Sequence, residues 1–251
     1  MSEKNWKSAI TSHFKDVPHV RGYDLTEMLQ KLSFTQAIYL VLKGELPNEK
    51  EETMLNSILV ASIDHGVEAP STTVARITAS TGVPLSTAVA TGVASMGESH
   101  AGAIEAAAKV FQDAVKKGRS ASDIVEKARF KGERIPGFGH KIYDVDPRTA
   151  AILKITEKNG FKGKHIDIAL EIEKELEKVV DRRLPLNIDG ITAAVISEMG
   201  FDAGLGNGFF IISRIAGLVA HVHEEKTREK PVRRISEEDV EYDGPKPRKL
   251  P

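Results

Sequence analysis

The chain of 251 residues contains no cysteine. Disulfides, thiolate metal sites and a cysteine nucleophile are therefore excluded, though no compartment is. Charge of one sign is not in excess either. The 35 Lys+Arg and 36 Asp+Glu leave a net charge of −1, so no global field points to nucleic acid or an anionic membrane surface. The opening segment MSEKNWKSAITSHF has no apolar h-region, so no secretory signal is expected. Residues 77–97 carry no Asp, Glu, Lys or Arg, a length that suits a membrane span. Their Ser, Thr, Gly and Ala content, interrupted by Gly82-Val83-Pro84, suits two packed helices instead. A cytoplasmic location is expected, with neither membrane nor nucleic acid as partner. GxxxxGK[ST], HExxH and Cys clusters are missing, which removes the P-loop and the common zinc patterns. Gly204-Leu205-Gly206-Asn207-Gly208 follows no strand, and His221 and His223 point to different faces of a helix. No metal site is expected.

Hydrophobic residues, 41% of the chain, suffice for a substantial core. They recur at helical spacing almost everywhere, with no convincing alternation of period two. Asp24 with Glu27, Ser33 with Gln36 and Asn48 with Glu51 form capping-box patterns; Gly44, Gly66, Gly82, Gly118 and Gly160 offer stops. Helices are predicted near 24–32, 34–43, 49–65, 71–81, 85–96, 100–117, 121–131, 147–158, 165–181, 190–199 and 207–226. The fold class is all-α. In 165–181, Ile168, Ile172, Leu176 and Val179 share one face. Segments 85–96 and 100–110 are small-residue-rich on nearly all sides and are expected to be buried all round. Residues 1–222 read as one helical unit and 223–251 as a charged arm. From residue 224 onward there are eight basic and eight acidic residues and four prolines. Such a segment cannot form its own core. It is either a frayed end or an arm that crosses onto a partner subunit.

Several polar residues stand where a packed helical protein would not choose them. His65 follows Asp64 at a predicted helix end, and His100 interrupts an Ala/Gly run. His140 closes the turn Ile135-Pro136-Gly137-Phe138-Gly139, and Asp189 precedes an apolar helix. Arg148 follows Asp146-Pro147, and Arg214 lies among Phe209, Phe210, Ile211, Ile212, Ile215, Leu218 and Val219. Each has a plain structural reading. His65 caps a helix C-terminus, His100 is a hydrogen-bonded core residue, Asp189 is an N-cap and Arg148 is surface charge. Arg214 resists that treatment, because an unpaired buried guanidinium is expensive. Together they form a chemical kit. Guanidiniums bind carboxylates bidentately. A carboxylate takes a proton from carbon beside a thioester, one imidazole holds the enol oxygen, and another polarises a ketone.

The order of these residues resembles the citrate synthase family. GFGHKIYDVDPR is similar to its GxGHxxYxxxDPR segment, and Asn187-Ile188-Asp189 to the segment with its catalytic aspartate. GESHAGAIEAA, Asp64-His65 with Arg76-Ile77-Thr78-Ala79-Ser80-Thr81-Gly82, and Ser213-Arg214-Ile215-Ala216-Gly217 with Ala220-His221 follow the same pattern. The early Gly22-Tyr23-Asp24 and Gly44-Glu45-Leu46-Pro47 do too. The resemblance implies a citrate synthase-like multi-helix fold, N-terminally trimmed, with a smaller closing part near 101–200. It implies catalytic roles for His100, His140 and Asp189. Substrate binding falls to His65, Arg148 and Arg214, with Arg233 or, preferably, Arg234 supplied by a neighbouring subunit. The backbone of Pro136, Gly137, Phe138 and Gly139 would meet the adenine of coenzyme A. No permanent cofactor is implied; the coenzyme A thioester is a substrate.

Three features lean toward the citryl-CoA lyase module of ATP-citrate lyase: the short chain, Gly66-Val67-Glu68-Ala69-Pro70 after His65, and Gly206-Asn207-Gly208-Phe209-Phe210. The implied activity is cleavage of citryl-CoA to acetyl-CoA and oxaloacetate in a homodimer or higher homo-oligomer, with a separate citryl-CoA synthetase as a potential partner. Citrate synthase or 2-methylcitrate synthase activity on acetyl-CoA or propionyl-CoA is the alternative. A non-catalytic CoA-binding subunit of a citrate-activating complex is the third.

Overall fold

A computed structural model describes residues 6–14, 16–140, 145–180 and 183–250. Eleven α-helices occur among them: α1 (Leu25–Lys31), α2 (Phe34–Lys43), α3 (Glu49–Ala61), α4 (Pro70–Ser80), α5 (Leu85–Ala94), α6 (Ala103–Lys117), α7 (Ala121–Lys131), α8 (Pro147–Lys158), α9 (Lys164–Val179), α10 (Ile188–Glu198) and α11 (Gly206–Arg228). Two of the three predicted capping boxes close in full. Ser33 with Gln36 and Asn48 with Glu51 close full capping boxes. Asp24 accepts the Thr26 and Glu27 N–H groups without reciprocation. Gly44 and Gly118 end their helices in the left-handed conformation.

Three short strands precede the helices and were not expected. β1 (Thr11–Phe14), β2 (Val17–Val20) and β3 (Tyr23–Asp24) form an antiparallel sheet, with Thr11 opposite Val20 and Val20 opposite Tyr23. No alternation announced them because none is present in their burial: β1 is exposed throughout and β2 half-buried throughout. A period-two signal needs one covered face.

The chain divides into two compact units, residues 1–64 with 96–216, and 65–95 with 217–251. In the first, α10 packs on α6 and α9, α7 on α9, and α3 on α8. Residues 190–197 of α10 are buried on every side, as the apolar sequence IDGITAAVISE dictates. Phe111, Ile104, Ile172, Ile191 and Ile196 lie in the surrounding core. α9 buries Ile168, Ile172 and Leu176, whereas Val179, at its last turn, is 37% exposed.

In the second unit α4 packs on α5. A Cβ on Gly92 would stand 2.9 Å from the Ser71 carbonyl oxygen, so the two helices nearly touch. Burial all round did not follow from small residues. α5 buries Ala88 and Gly92 alone among its residues, and α6 buries a single stripe. Small uncharged side chains permit close approach on one face without requiring cover on the others. The uncharged stretch 77–97 is thus broken between α4 and α5. α11 is long and apolar enough to cross a bilayer by length and composition, yet Arg214 and Glu225 on it are buried.

Candidate active site

The loop 133–140 and the segment 185–187 are joined backbone to backbone in the first unit. The Gly139 N–H donates to Pro185 O at 2.7 Å and the Asn187 N–H to Gly137 O at 3.0 Å. Phe138 bridges to Leu186, and Asn187 Nδ2 donates to Gly139 O at 2.9 Å. Glycine is needed on both sides. Gly137 adopts φ +88°, and a Cβ on Gly190 would lie 2.3 Å from Gly137 O. This contact sets the turn that ends in His140 directly against the first turn of α10, which carries Asp189. Residues 141–144 of the GFGHKIYDVDPR motif lie outside the described residues.

Asp189 does not cap α10. Asn187 does, its Oδ1 accepting the N–H groups of Asp189 at 3.0 Å and Gly190 at 3.1 Å. The helix terminus favours a carboxylate there, but burial dominates and raises the Asp189 carboxyl above its ordinary value. The Arg148 and Arg214 guanidiniums oppose the rise and Asp146 reinforces it. Asp189 therefore holds its proton to a higher pH than a surface aspartate, beside two cations.

Those cations are held differently. Asp146, fully buried, caps α8 and accepts from Arg148 N at 3.0 Å, Nε at 3.1 Å and Nη2 at 2.9 Å. It also accepts the Ile188 N–H at 3.3 Å. Burial alone would raise the Asp146 carboxyl, but these donors hold it below the usual range. A guanidinium has five N–H donors, so Arg148 carries more than the two that Asp146 accepts. Arg214 is 2% exposed. Its Nε donates to Ser62 O at 3.0 Å, and its guanidinium stacks on Phe210 at 4.5 Å. Its buried Nη1 meets no hydrogen-bond acceptor among the described residues. Burial lowers its pKa; Asp64 and Asp189 counter this and Arg148 adds to it. A buried cation with an unused donor is arranged to receive an anion.

His100 occupies a turn before α6, which begins at Ala103 and not at residue 100. Reciprocal bonds close the turn, Gly97 N to His100 O at 2.8 Å and His100 N to Gly97 O at 3.0 Å. The imidazole meets Phe210 edge-on at 6.0 Å. Phe210 thus touches both His100 and Arg214. Phe138, Gly139 and His140 line a cavity of about 630 Å³. Val125, Leu176 and Leu184 make it apolar, and Arg129, Arg134 and Arg183 give it positive charge. Pro136 and Gly137 belong to the same turn; Pro136 faces a second hollow. No group of three or more His, Asp or Glu among the described residues has metal-holding geometry.

His65 and Arg234 belong to the second unit. α3 stops at Ala61, so His65 is an exposed loop residue and not a helix cap. The helix stops early because Ser62 lacks helical continuation and the chain enters a loop before Pro70, which starts α4. Arg234 is exposed, and Arg233 is bonded to Glu225.

Asp146, Asn187 and Phe210 carry no role in the sequence reading. Asp146-Pro147 is a cap-plus-N1-proline signature with an arginine two residues on, and it could have been found. Phe210 could not, since its spacing is that of any core aromatic.

Residues 49–235 match the family described as citrate synthase, C-terminal domain. Citrate synthase from Haloferax volcanii is 31% identical over 210 residues, covering 82% of this chain and 55% of that protein. The chain thus spans about half the length of that relative. The structure of citryl-CoA lyase from Hydrogenobacter thermophilus superposes with a TM-score of 0.96 at 47% identity, covering 99% of this chain and 98% of that one. ATP citrate lyase from Methanosaeta concilii, solved with (3S)-citryl-CoA, shares the fold at a TM-score of 0.87 and 23% identity, over 98% of this chain and 43% of that one. The helical order, the Gly137 turn held against the start of α10 and the match over residues 49–235 agree: the chain belongs to the citrate synthase family.

Proposed function

We propose that the chain is a citryl-CoA lyase, cleaving citryl-CoA to acetyl-CoA and oxaloacetate. The observation that carries this reading is the end-to-end likeness to the Hydrogenobacter lyase, at 47% identity with both chains covered almost whole. The raised Asp189 carboxyl supports it. His140 accepts the proton of the citryl hydroxyl, and the bond between the carbinol carbon and the thioester α-carbon breaks. The hydroxyl carbon becomes the oxaloacetate ketone, and the electron pair enters the acetyl-CoA enolate. His100 holds the enolate oxygen. Asp189, in its acid form, protonates the carbon and gives acetyl-CoA. Arg148 and Arg214 bind the oxaloacetate carboxylates.

The coenzyme A moiety lies along the turn Pro136–Gly139, whose Phe138 and Gly139 line the 630 Å³ cavity. Arg129, Arg134 and Arg183 suit its phosphates. Arg234 serves the site of a neighbouring subunit in a homodimer, and a separate synthetase supplies citryl-CoA. Mixing a chain deleted from residue 230 with an Arg214→Ala chain then restores activity, because one site of the mixed dimer is whole. The second reading, citrate synthase, is favoured by the 31% identity to the Haloferax enzyme. Product analysis separates the two. Citryl-CoA yielding acetyl-CoA and oxaloacetate in equal amounts supports the lyase, and citrate with free coenzyme A returns the synthase.

A further inference from the structure

The charged tail is fastened to the second unit at a defined point. Glu225 on α11 is 1% exposed and Arg76 on α4 is 9% exposed. Arg76 Nε donates to Glu225 Oε2 at 2.7 Å and Arg76 Nη1 to Glu224 Oε2 at 3.1 Å. Arg233 approaches the same Glu225 as a fork, Nε to Oε1 at 2.9 Å and Nη2 to Oε2 at 2.8 Å. Its backbone N–H donates to Ser80 Oγ at 3.0 Å. Glu229 adds an ion pair to Arg233 at 3.5 Å.

One buried carboxylate therefore binds two guanidiniums, one from α4 and one from the tail. The Arg233 bonds hold the Glu225 carboxyl below its usual range against the effect of burial, with Arg76 adding to them. A fork of two charge-assisted bonds fixes direction as well as distance. Every described residue from 226 to 250 is exposed, so apolar packing does little to order this segment. The adjacent Arg234 is exposed while Arg233 is engaged.

We propose that Glu225 is a positioning residue: by clamping Arg233 it fixes the tail one residue before Arg234 and sets the reach of the Arg234 guanidinium to a substrate carboxylate in the neighbouring subunit. This rests on the reading of Arg234 given above. Arg233 is then an anchor and never a substrate ligand, which resolves the choice between the two adjacent arginines by the chemistry of their surroundings. Arg76 shares the anchor, because its charge keeps Glu225 ionised in a buried place.

The test is a double-mutant cycle on the full chain, followed as citryl-CoA cleavage with malate dehydrogenase reporting oxaloacetate. Glu225→Gln keeps the shape and removes the charge. It raises KM for citryl-CoA about ten- to hundredfold, the loss expected of a charge-assisted contact, with a smaller change in kcat. In an Arg234→Ala background the same substitution raises KM by less than about twofold, since the two act as one unit. Trypsin cleaves after Arg233 and Arg234 faster in Glu225→Gln, while the helical circular dichroism is unchanged. Arg233→Gln, at the exposed end of the clamp, raises KM in the same way and speeds cleavage after Arg234, the one of the two sites it leaves, and it serves if Glu225→Gln does not fold; Arg233→Lys recovers part of KM. A full KM penalty for Glu225→Gln in the Arg234→Ala background overturns the proposal, because the effect then does not pass through Arg234. An unchanged KM in Glu225→Gln, where Arg234→Ala raises it, overturns it also. An unchanged KM in Arg234→Ala removes the reading of Arg234 itself, and the clamp's positioning role with it.

Discussion

Asp146 and Arg148 are bonded three times over, through one backbone N–H and two guanidinium nitrogens. The same carboxylate also receives the Ile188 N–H, one residue before Asp189. A single buried acid thereby joins the start of α8 to the start of α10 and orients a candidate substrate guanidinium. Asp146→Ala removes a helix cap worth about 1 kcal/mol and leaves the Ile188 N–H unsatisfied at about 1–3 kcal/mol. The expected loss of stability is about 2–4 kcal/mol, read by urea unfolding. A loss below about 0.5 kcal/mol would show that the cap and the Ile188 bond contribute little.

Asp189→Asn folds normally and abolishes the chemistry. Exchange of deuterium into the methyl group of acetyl-CoA, in the presence of oxaloacetate, falls on the order of 10²–10⁴-fold. The pH dependence follows from the direction of the shift. Burial raises the folded pKa above the unfolded value, so the stability contributed by Asp189 is present below about 3.9 and is lost as pH rises through the raised value. At neutral pH the native carboxyl is a burden, and Asp189→Asn melts at a higher temperature than the wild type. In the proposed mechanism cleavage uses the acid form, so its rate is expected to fall as pH rises through the same ionisation. Near wild-type exchange in Asp189→Asn would remove Asp189 from the mechanism.

Gly190→Ala reverses an ordinary expectation. Alanine in a helix is favoured over glycine by about 1 kcal/mol. Here the added methyl would lie 2.3 Å from the Gly137 carbonyl oxygen and 2.5 Å from Leu186 Cδ1. The loop bearing His140 must move, so stability and citryl-CoA cleavage both fall. A stabilised, active Gly190→Ala would mean that the loop and helix are not held together by this contact.

The helices were legible because their signals are local. Ser33 with Gln36, and Asn48 with Glu51, encode a start within four residues, and each forms as read. The sheet at residues 11–24 was not legible, since neither β1 nor β2 buries one face more than the other and Pro18 sits in the middle strand. The end of α3 was misplaced by four residues because the predicted stop, Gly66, lies in the following loop. Among the candidate site residues, Asp189, Arg148 and Arg214 were visible as charges out of place. Their coupling through Asp146 and Phe210 depends on contacts across 42 residues and across the gap from His100 to Phe210, which no local pattern carries. The tail was read as a block of charge; that Glu225 turns inward to Arg76 depends on a partner 149 residues away.

The central claim is that this site cleaves citryl-CoA and leaves the thioester intact. Acetyl-CoA and oxaloacetate supplied together, with a thiol reagent as reporter, test it most directly, and the chain has no cysteine to add background. A lyase binds and enolises acetyl-CoA but does not place water at the citryl carbonyl, so the account predicts slow thiol release at most. Fast release of free coenzyme A, stoichiometric with oxaloacetate consumed, would contradict it and establish a citrate synthase.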